Sequence, residues 1–344
     1  MTICELERPA FADSYAVAGR SICVEARDEP AAEAFRRYFE GWHVEKLTRA
    51  PTHEASARIV LHTNGEPPRA PHSFEAFEVA GGGVCRTDGR TYFFDLDGSV
   101  VRVGSESPAL VEVWVGSGRE ANDAAASARL VFNASMTAMR RCGLYELHAA
   151  GAVEPETGAG LLFVGPSGSG KSTAATQLAA AGWQYLSDDT LLLCDAGERV
   201  EARALRRVFA VSKPTTATRA LAGREELLSA PAPFDPDKMR FEPESIFPSG
   251  FRESCVPRHI FFPVLTREPE SGTRGLSQAE AMARLIRMCP WAGYDRPSAR
   301  AHLGVLARLA RQAESHELRA GTDLLGDPAH ASDFFGARVR GAAR

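Results

Sequence analysis

Apolar residues along this chain follow two regimes. From 15 to 103 they come in short alternating runs: Tyr15 to Glu25, Ala57 to His62, Phe74 to Val79, Val84 to Arg86, Thr91 to Asp95 and Ser99 to Val103. Period-two alternation over so few residues predicts half-buried strands. The Gly-Gly-Gly, Asp88-Gly and Asp97-Gly signals between the later runs predict tight turns and a series of hairpins. One stretch, 30–39, departs from this, with Ala31, Ala34, Phe35 and Phe39 at helical spacing. Beyond about 119 the elements lengthen. Asn122 to Arg141 places Ala126, Leu130, Val131, Ser135 and Met139 on one helical face, and Gly143 ends that helix. Leu144 to Val153 and Leu161 to Val164 predict buried strands, Ala174 to Ala181 a helix stopped by Gly182, and Trp183 to Ser187 a strand that delivers Asp188 and Asp189 at its end.

Further along, His259 to Leu265 reads as a strand. Ser277 with Glu280 forms a capping box ahead of a helix that reaches Pro290. Ala299 to Gln312 predicts a last helix and His316 to Arg319 a last strand. Arg206 to Ser212 predicts a strand interrupted by Lys213-Pro214, and Ala230 to Pro236 a loop that could move over a site. The expected organisation is α/β: a smaller, mostly β domain over 1–118 with an accessory or substrate-recognition role, an α/β domain over 119–326, and a flexible tail over 327–344.

Composition narrows the class. At 344 residues, two domains are the natural expectation, and 44% hydrophobic residues suffice for their cores. A formal charge of −4 gives no electrostatic reason to expect nucleic acid or an anionic membrane as partner. Seven cysteines without a Cys-x-x-Cys pair point to reduced thiols and away from a zinc site built on them. No signal-like N-terminus and no apolar run long enough for a membrane span are visible, so a cytoplasmic protein is expected. The sequence is compatible with an oligomer and does not require one. Only four lysines, at 46, 171, 213 and 238, stand among forty basic residues, so a lysine here is worth noticing.

One of those lysines carries the chemistry. Gly165-Pro-Ser-Gly-Ser-Gly-Lys-Ser172-Thr173 has the Gly-x4-Gly-Lys-Ser spelling of a phosphate-binding loop, between an apolar strand and a helix, as that motif requires. Gly165, Gly168 and Gly170 let backbone N–H groups approach phosphate oxygens, while Pro166, Ser167, Ser169 and Thr173 complete the cradle. The new helix aims its positive end at the same anion. Lys171 would reach the β- and γ-phosphates of ATP, and the Ser172 hydroxyl would ligate Mg²⁺. Asp188 and Asp189 follow Lys171 by 17 and 18 positions, at the end of the next strand. Moving a phosphoryl group to an alcohol needs a base and an anion to hold the metal, and two carboxylates can divide those tasks. His148 sits on the strand before the loop, where a core role is the ordinary reading. Lys213, Lys238 and Arg240 are cations that later loops could bring to phosphate.

The segment from His148-Ala-Ala-Gly-Ala-Val through the loop to Leu186-Ser-Asp-Asp189 resembles the catalytic core of the HPr kinase/phosphorylase family over about 45 residues. That family has a histidine, a Gly-x-Ser-Gly-x-Gly-Lys-Ser loop, a helix ending in Gly and a strand ending in Asp-Asp. The resemblance implies a P-loop HPr-kinase-like C-terminal domain, of a fold related to ATP-dependent phosphoenolpyruvate carboxykinase. It implies that Asp188 is the base activating a serine hydroxyl, that Asp189 assists it or holds Mg²⁺, and that His148 lies beside the transferred phosphate. Pro166 and Thr173 stand where the family usually has acidic residues, and the N-terminal unit does not match the family's. HPr itself is therefore not the expected acceptor, and phosphorolysis is not expected. Divergent proteins of this type accompany peptide-modifying pathways, which implies a serine on a protein or ribosomal precursor peptide, lasso peptides included. The alternatives are a small-molecule kinase resembling shikimate or gluconate kinases, and a nucleotide sensor without phosphotransfer. A transporter ATPase is disfavoured, because Leu276-Ser-Gln-Ala-Glu280 lacks the signature such proteins need.

Overall fold

The computed structural model describes residues 11–26, 29–48, 55–62, 66–78, 83–96, 98–104, 109–114, 124–232 and 235–341. By contacts the chain divides into two compact units, Met1–Glu40 with Val44–Cys142, and Gly41–His43 with Gly143–Arg344. The expected boundary at 118 lies outside the described residues. The division falls after Cys142 because the helix Ala124–Arg141 packs on strands of the first unit instead of joining the second.

The first unit holds strands β1 (Phe11–Val17), β2 (Arg20–Ala26), β3 (Glu45–Leu47), β4 (Ala57–His62), β5 (Glu75–Glu78), β6 (Val84–Thr87), β7 (Tyr92–Leu96), β8 (Ser99–Val103) and β9 (Ala109–Trp114), with helices α1 (Glu29–Glu40) and α2 (Ala124–Arg141). They form one sheet in the order β3-β1-β2-β4-β9-β8-β7-β6-β5. Two features differ from the sequence reading. The run Tyr15 to Glu25 is a hairpin, turned at Ala18 and Gly19, both with positive φ; Ala18 is a rare turn residue, so the sequence carried little signal for it. And β2, β4 and β9 pair in parallel at the centre, so only β5 to β9 form the expected antiparallel series. Asp97 and most of the triple glycine lie outside the described residues, and Gly98 has the positive φ, 83°, of a turn glycine.

In the second unit are β10 (Leu144–Val153), β11 (Gly160–Val164), β12 (Gln184–Tyr185), β13 (Thr190–Ala196), β14 (Arg199–Ala204), β15 (Phe209–Ser212), β16 (Ser229–Ala232), β17 (Asp235–Phe241), β18 (Ser254–Cys255), β19 (Pro257–Leu265), β20 (Gly272–Gly275) and β21 (Glu314–Ala320). Its helices are α3 (Lys171–Ala180), α4 (Lys213–Thr216), α5 (Pro243–Ile246), α6 (Gln278–Arg287), α7 (Trp291–Tyr294), α8 (Arg296–Gln312), α9 (Thr322–Gly326) and α10 (Pro328–Gly341). The main sheet runs β18-β14-β13-β10-β11-β19-β21-β20, with β12 beside β10 and with β11, β19 and β21 parallel. A second, three-stranded sheet has the order β15-β17-β16.

Alternation along the central strands splits the core into two layers, because successive side chains leave a strand on opposite faces. Leu162, Val164 and Ile260 meet Leu285, Val305, Leu306 and Leu309 of α6 and α8. Leu161, Phe163 and Phe261 meet Ala175 and Leu178 of α3 and Phe335 of α10. Ser277 caps α6 through the capping box read from the sequence. The tail expected to fray is α10. Phe335 is buried, with its ring 5.1 Å from those of both Phe163 and Phe261, and that apolar contact orders the helix. Of the stretch read as a loop, 230–232 belong to β16 and 235–236 to β17, and 233–234 lie outside the described residues. Pro231 is tolerated because β16 is an edge strand, where an N–H is dispensable. No described helix is long and apolar enough to cross a membrane.

Candidate functional site

Strand β11 ends at Val164 and the glycine-rich loop turns into α3 at Lys171. Gly168 and Gly170 have φ of 79° and 95°, a region costly for any residue with a Cβ. At Gly170 an added Cβ would also lie 2.8 Å from Leu265 Cδ2, a contact that the half-exposed leucine tip can relieve, so the requirement for glycine there is conformational. Pro166, Ser167 and Gly168 are exposed at the lip, and the first N–H groups of α3 lack intrahelical acceptors, as at any helix start.

Lys171 is 95% buried, its relative exposure being 5%. Its Nζ donates to the Pro166 carbonyl at 2.8 Å, folding the ammonium back across the loop. Burial pushes its pKa down to about 8, opposed by Asp189 and assisted by nearby Lys238. Lys238, on β17, donates from Nζ to Ser167 Oγ at 3.3 Å and so reaches the loop from the small sheet. Ser172 Oγ donates to the Asp188 carbonyl at 3.2 Å, and Thr173 Oγ1 lies 2.7 Å from Thr215 Oγ1. A cavity of about 190 Å³ opens among Lys171, Ser172, Thr173, Asp189, Thr215 and Lys238.

The two aspartates precede β13 instead of ending a longer strand. β12 is only two residues long, and the segment after it continues alongside β10, with the Ala149 and Gly151 N–H groups donating to the Asp189 and Ser187 carbonyls. Their side chains occupy different environments. Asp188 is 1% exposed; its Oδ2 accepts from the Ala210 N–H at 2.8 Å, and no described group donates to its buried Oδ1. Desolvation, then the neighbouring Asp189 charge, push its carboxyl up to about 7. Asp189 lines the cavity. Burial opposes its ionisation too, but Arg206 and His148 outweigh that and hold its carboxyl well below the usual carboxylate range. Arg206 Nη2 lies 3.5 Å from Asp189 Oδ2, and His148 Nδ1 lies 3.3 Å from Oδ1. Burial pushes His148 down, although Asp189 pulls it up.

Of the residues singled out in the sequence, Lys171, Ser172, Thr173, Asp188, Asp189, His148 and Lys238 converge. Lys213 is exposed on the outside of α4, and its neighbours Ser212 and Pro214 line the cavity instead. Arg206 and Thr215 went unnoticed. Arg206 is one of 36 arginines without a motif, and Thr215 is a plain hydroxyl in a short turn. Only the register that brings β15 against the Asp188 carboxylate exposes either.

The donor set suits a triphosphate with a divalent cation. It comprises a loop open to close approach, a buried lysine currently satisfied by a loop carbonyl, a serine hydroxyl, and an ionised carboxylate on the same cavity wall. No family model matches this chain, and no curated protein matches its sequence. A solved structure, that of the Hpr(Ser) kinase/phosphatase from Coxiella burnetii, is similar to 57% of this chain and 97% of its own, at 10% identity and a TM-score of 0.31. Likeness at that level carries no functional argument.

Proposed function

We propose that the second unit is an ATP-dependent phosphotransferase that moves the γ-phosphoryl group to a hydroxyl, with a serine of a protein or peptide as the acceptor class. The observation that carries this reading is the split pair of carboxyls behind the glycine-rich loop. Asp188 has a proton affinity matched to neutral pH, as a general base requires, whereas Asp189 stays ionised beside cations. A binding protein needs the loop and the lysine; it has no need for a buried carboxyl with an unpartnered oxygen.

The roles follow from the chemistry of each group. Loop N–H groups and Lys171 would hold the phosphates, the lysine leaving the Pro166 carbonyl to do so. Ser172 and Asp189 would hold Mg²⁺, which when bound neutralises charge on the β- and γ-oxygens. Asp188 would take the acceptor's proton as its oxygen attacks phosphorus, and the bond to the leaving β-oxygen breaks in line. His148, held on Asp189, would lie beside the transferred group. Asp188 has the proton affinity and little exposure, whereas Asp189 has the exposure and little proton affinity. The assignment of the base to Asp188 rests on affinity, since a carboxyl ionised far below neutrality accepts a proton poorly.

The test incubates the full chain with Mg²⁺-ATP and serine-containing peptides, with small alcohols in parallel, and follows both nucleotide binding and phosphate transfer. Expected are nucleotide binding that needs Lys171 and transfer to a serine hydroxyl that needs Asp188. Binding without transfer to any hydroxyl would reduce the protein to a nucleotide-binding one.

A further inference from the structure

A second cluster of ligating side chains lies at the other end of the same parallel strands. His259 on β19 pairs across the sheet with Glu314 on β21, and Phe261 with His316. Residues two apart share a face, so His259, Glu314 and His316 all project from one side of the sheet. Their nearest ligand atoms all lie within 4.8 Å of one another. Glu314 Oε2 is 4.0 Å from His259 Nδ1 and 3.8 Å from His316 Nε2.

None of these separations is a hydrogen bond, and that is the informative point. His259 is 3% exposed, yet its buried Nδ1 has no partner; buried His316 Nε2 has none either. Buried polar atoms are ordinarily satisfied, so two orphaned imidazole nitrogens facing one carboxylate ask for a third party between them. Arg338 on α10 donates from Nε to Thr273 Oγ1 and lies over the Phe334 ring, close enough for its charge to be felt at His316.

We propose that His259 Nδ1, His316 Nε2 and the Glu314 carboxylate form a binding site for a divalent transition-metal cation, with zinc the preferred ion. Two imidazoles and a carboxylate favour zinc and its neighbours over magnesium. Tetrahedral zinc with bonds of about 2.0–2.1 Å sets its donors roughly 3.4 Å apart. The two Glu314–imidazole separations, 4.0 and 3.8 Å, are wider by about 0.4–0.6 Å, which the exposed Glu314 side chain can close, and the two imidazole nitrogens, within 4.8 Å of each other, draw together to share one ion. Three protein ligands leave a fourth position for water. The site is separate from the glycine-rich loop, which meets β19 at Pro263 and Leu265, about 13 Å further along at the rise of a strand. A bound ion would clamp β19 to β21.

The test uses the full chain stripped with chelator, titrated with ZnCl₂ against a chromophoric competitor, with Co²⁺ as a spectroscopic probe. One saturable Zn²⁺ per chain is expected, undisturbed by millimolar Mg²⁺, with tetrahedral Co²⁺ bands. Unfolding should shift upward by about 5 °C when Zn²⁺ exceeds Kd a hundredfold. His259→Ala is confounded by its burial, so the deciding variants are Glu314→Gln and His316→Asn, which should weaken Zn²⁺ at least about tenfold. His148→Ala should leave Zn²⁺ binding unchanged. The proposal is overturned by absence of saturable binding, by wild-type affinity in the His316→Asn, Glu314→Gln double variant, or by loss in His148→Ala alone, which would place the ion at the loop.

Discussion

Both units carry a nine-stranded sheet with three adjacent parallel strands, yet they use charge in opposite ways. In the first, ionisable groups pair with each other, across neighbouring strands or, for Arg36, from α1 to β1, and stay partly wet. Arg58 donates to both Glu25 oxygens at 2.8 and 2.9 Å, Arg102 bonds Glu112, and Asp13 accepts from Arg36 and Lys46. In the second, Lys171, Asp188 and His259 are buried with incomplete partners. Complete pairing stabilises a surface modestly, whereas incomplete pairing in a dry site leaves proton affinities displaced and ligand positions open. The sheet architecture by itself therefore says little about chemistry. What matters is which groups are left unsatisfied where the strands end.

The sharpest way to break this comparison is Asp188→Asn. It keeps the shape, removes the proposed base, and should lower phosphate transfer about 10²–10⁴-fold with nucleotide affinity within a few-fold. Full activity would remove Asp188 from the mechanism. Lys171→Ala should lower turnover about 10²–10³-fold, the usual effect of losing one preorganised cationic donor, and unlike Asp188→Asn should weaken nucleotide binding in parallel. Asp189→Asn is expected to raise the Mg²⁺ requirement about tenfold or more and to be partly rescued by excess metal. Rescue of the Asp188 variant instead would exchange the two roles.

The pH dependence sharpens the contrast further. Asp188 must be ionised to act, so turnover should rise about tenfold per pH unit below about 7. Lys171 loses its proton above about 8 in the free protein, so nucleotide affinity should fall beyond that. The stability contributions have the opposite signs. The raised Asp188 pKa favours the folded state at low pH, and that contribution is lost between 3.8 and about 7. The lowered Lys171 pKa makes the folded state release its proton first, so stability rises between about 8 and 10.5. A wild-type profile without an acidic limb near 7, or a limb that survives in Asp188→Asn, would contradict the base assignment. The smallest effect belongs to the first unit. Arg58→Ala should cost under about 1 kcal/mol in denaturant unfolding, because that pair is part exposed. A larger loss would mean that the first unit also stores unpaired charge.

The role of the first unit in acceptor recognition is a proposal that truncation can address, but the cut matters. Trp42 is 3% exposed, the His43 N–H donates to the Leu205 carbonyl, and both belong to the second unit. Deleting 1–118 removes them with the first unit, so a loss of activity would be ambiguous unless 41–43 are supplied.

The sequence by itself determined the loop and its flanking strand and helix, the α6 capping box, and the closeness of Asp188 and Asp189 to the lysine, whereas a place for His148 beside them was implied only by the family resemblance. Each of these depends on interactions within a few residues or on one motif whose spacing sets its backbone. It could not reveal the hairpin at Ala18, the parallel centre of the first sheet, the ordering of α10, or the allotment of α2 to the first unit. Those depend on which apolar faces find each other, as Phe335 finds Phe163 and Phe261. Nor could it separate two adjacent aspartates, identical in type, whose proton affinities diverge because one lies dry against the Ala210 N–H and the other faces Arg206 and His148. Local chemistry is written in spacing. Proton affinity and metal geometry come from desolvation and from distant partners, and only the folded chain supplies those.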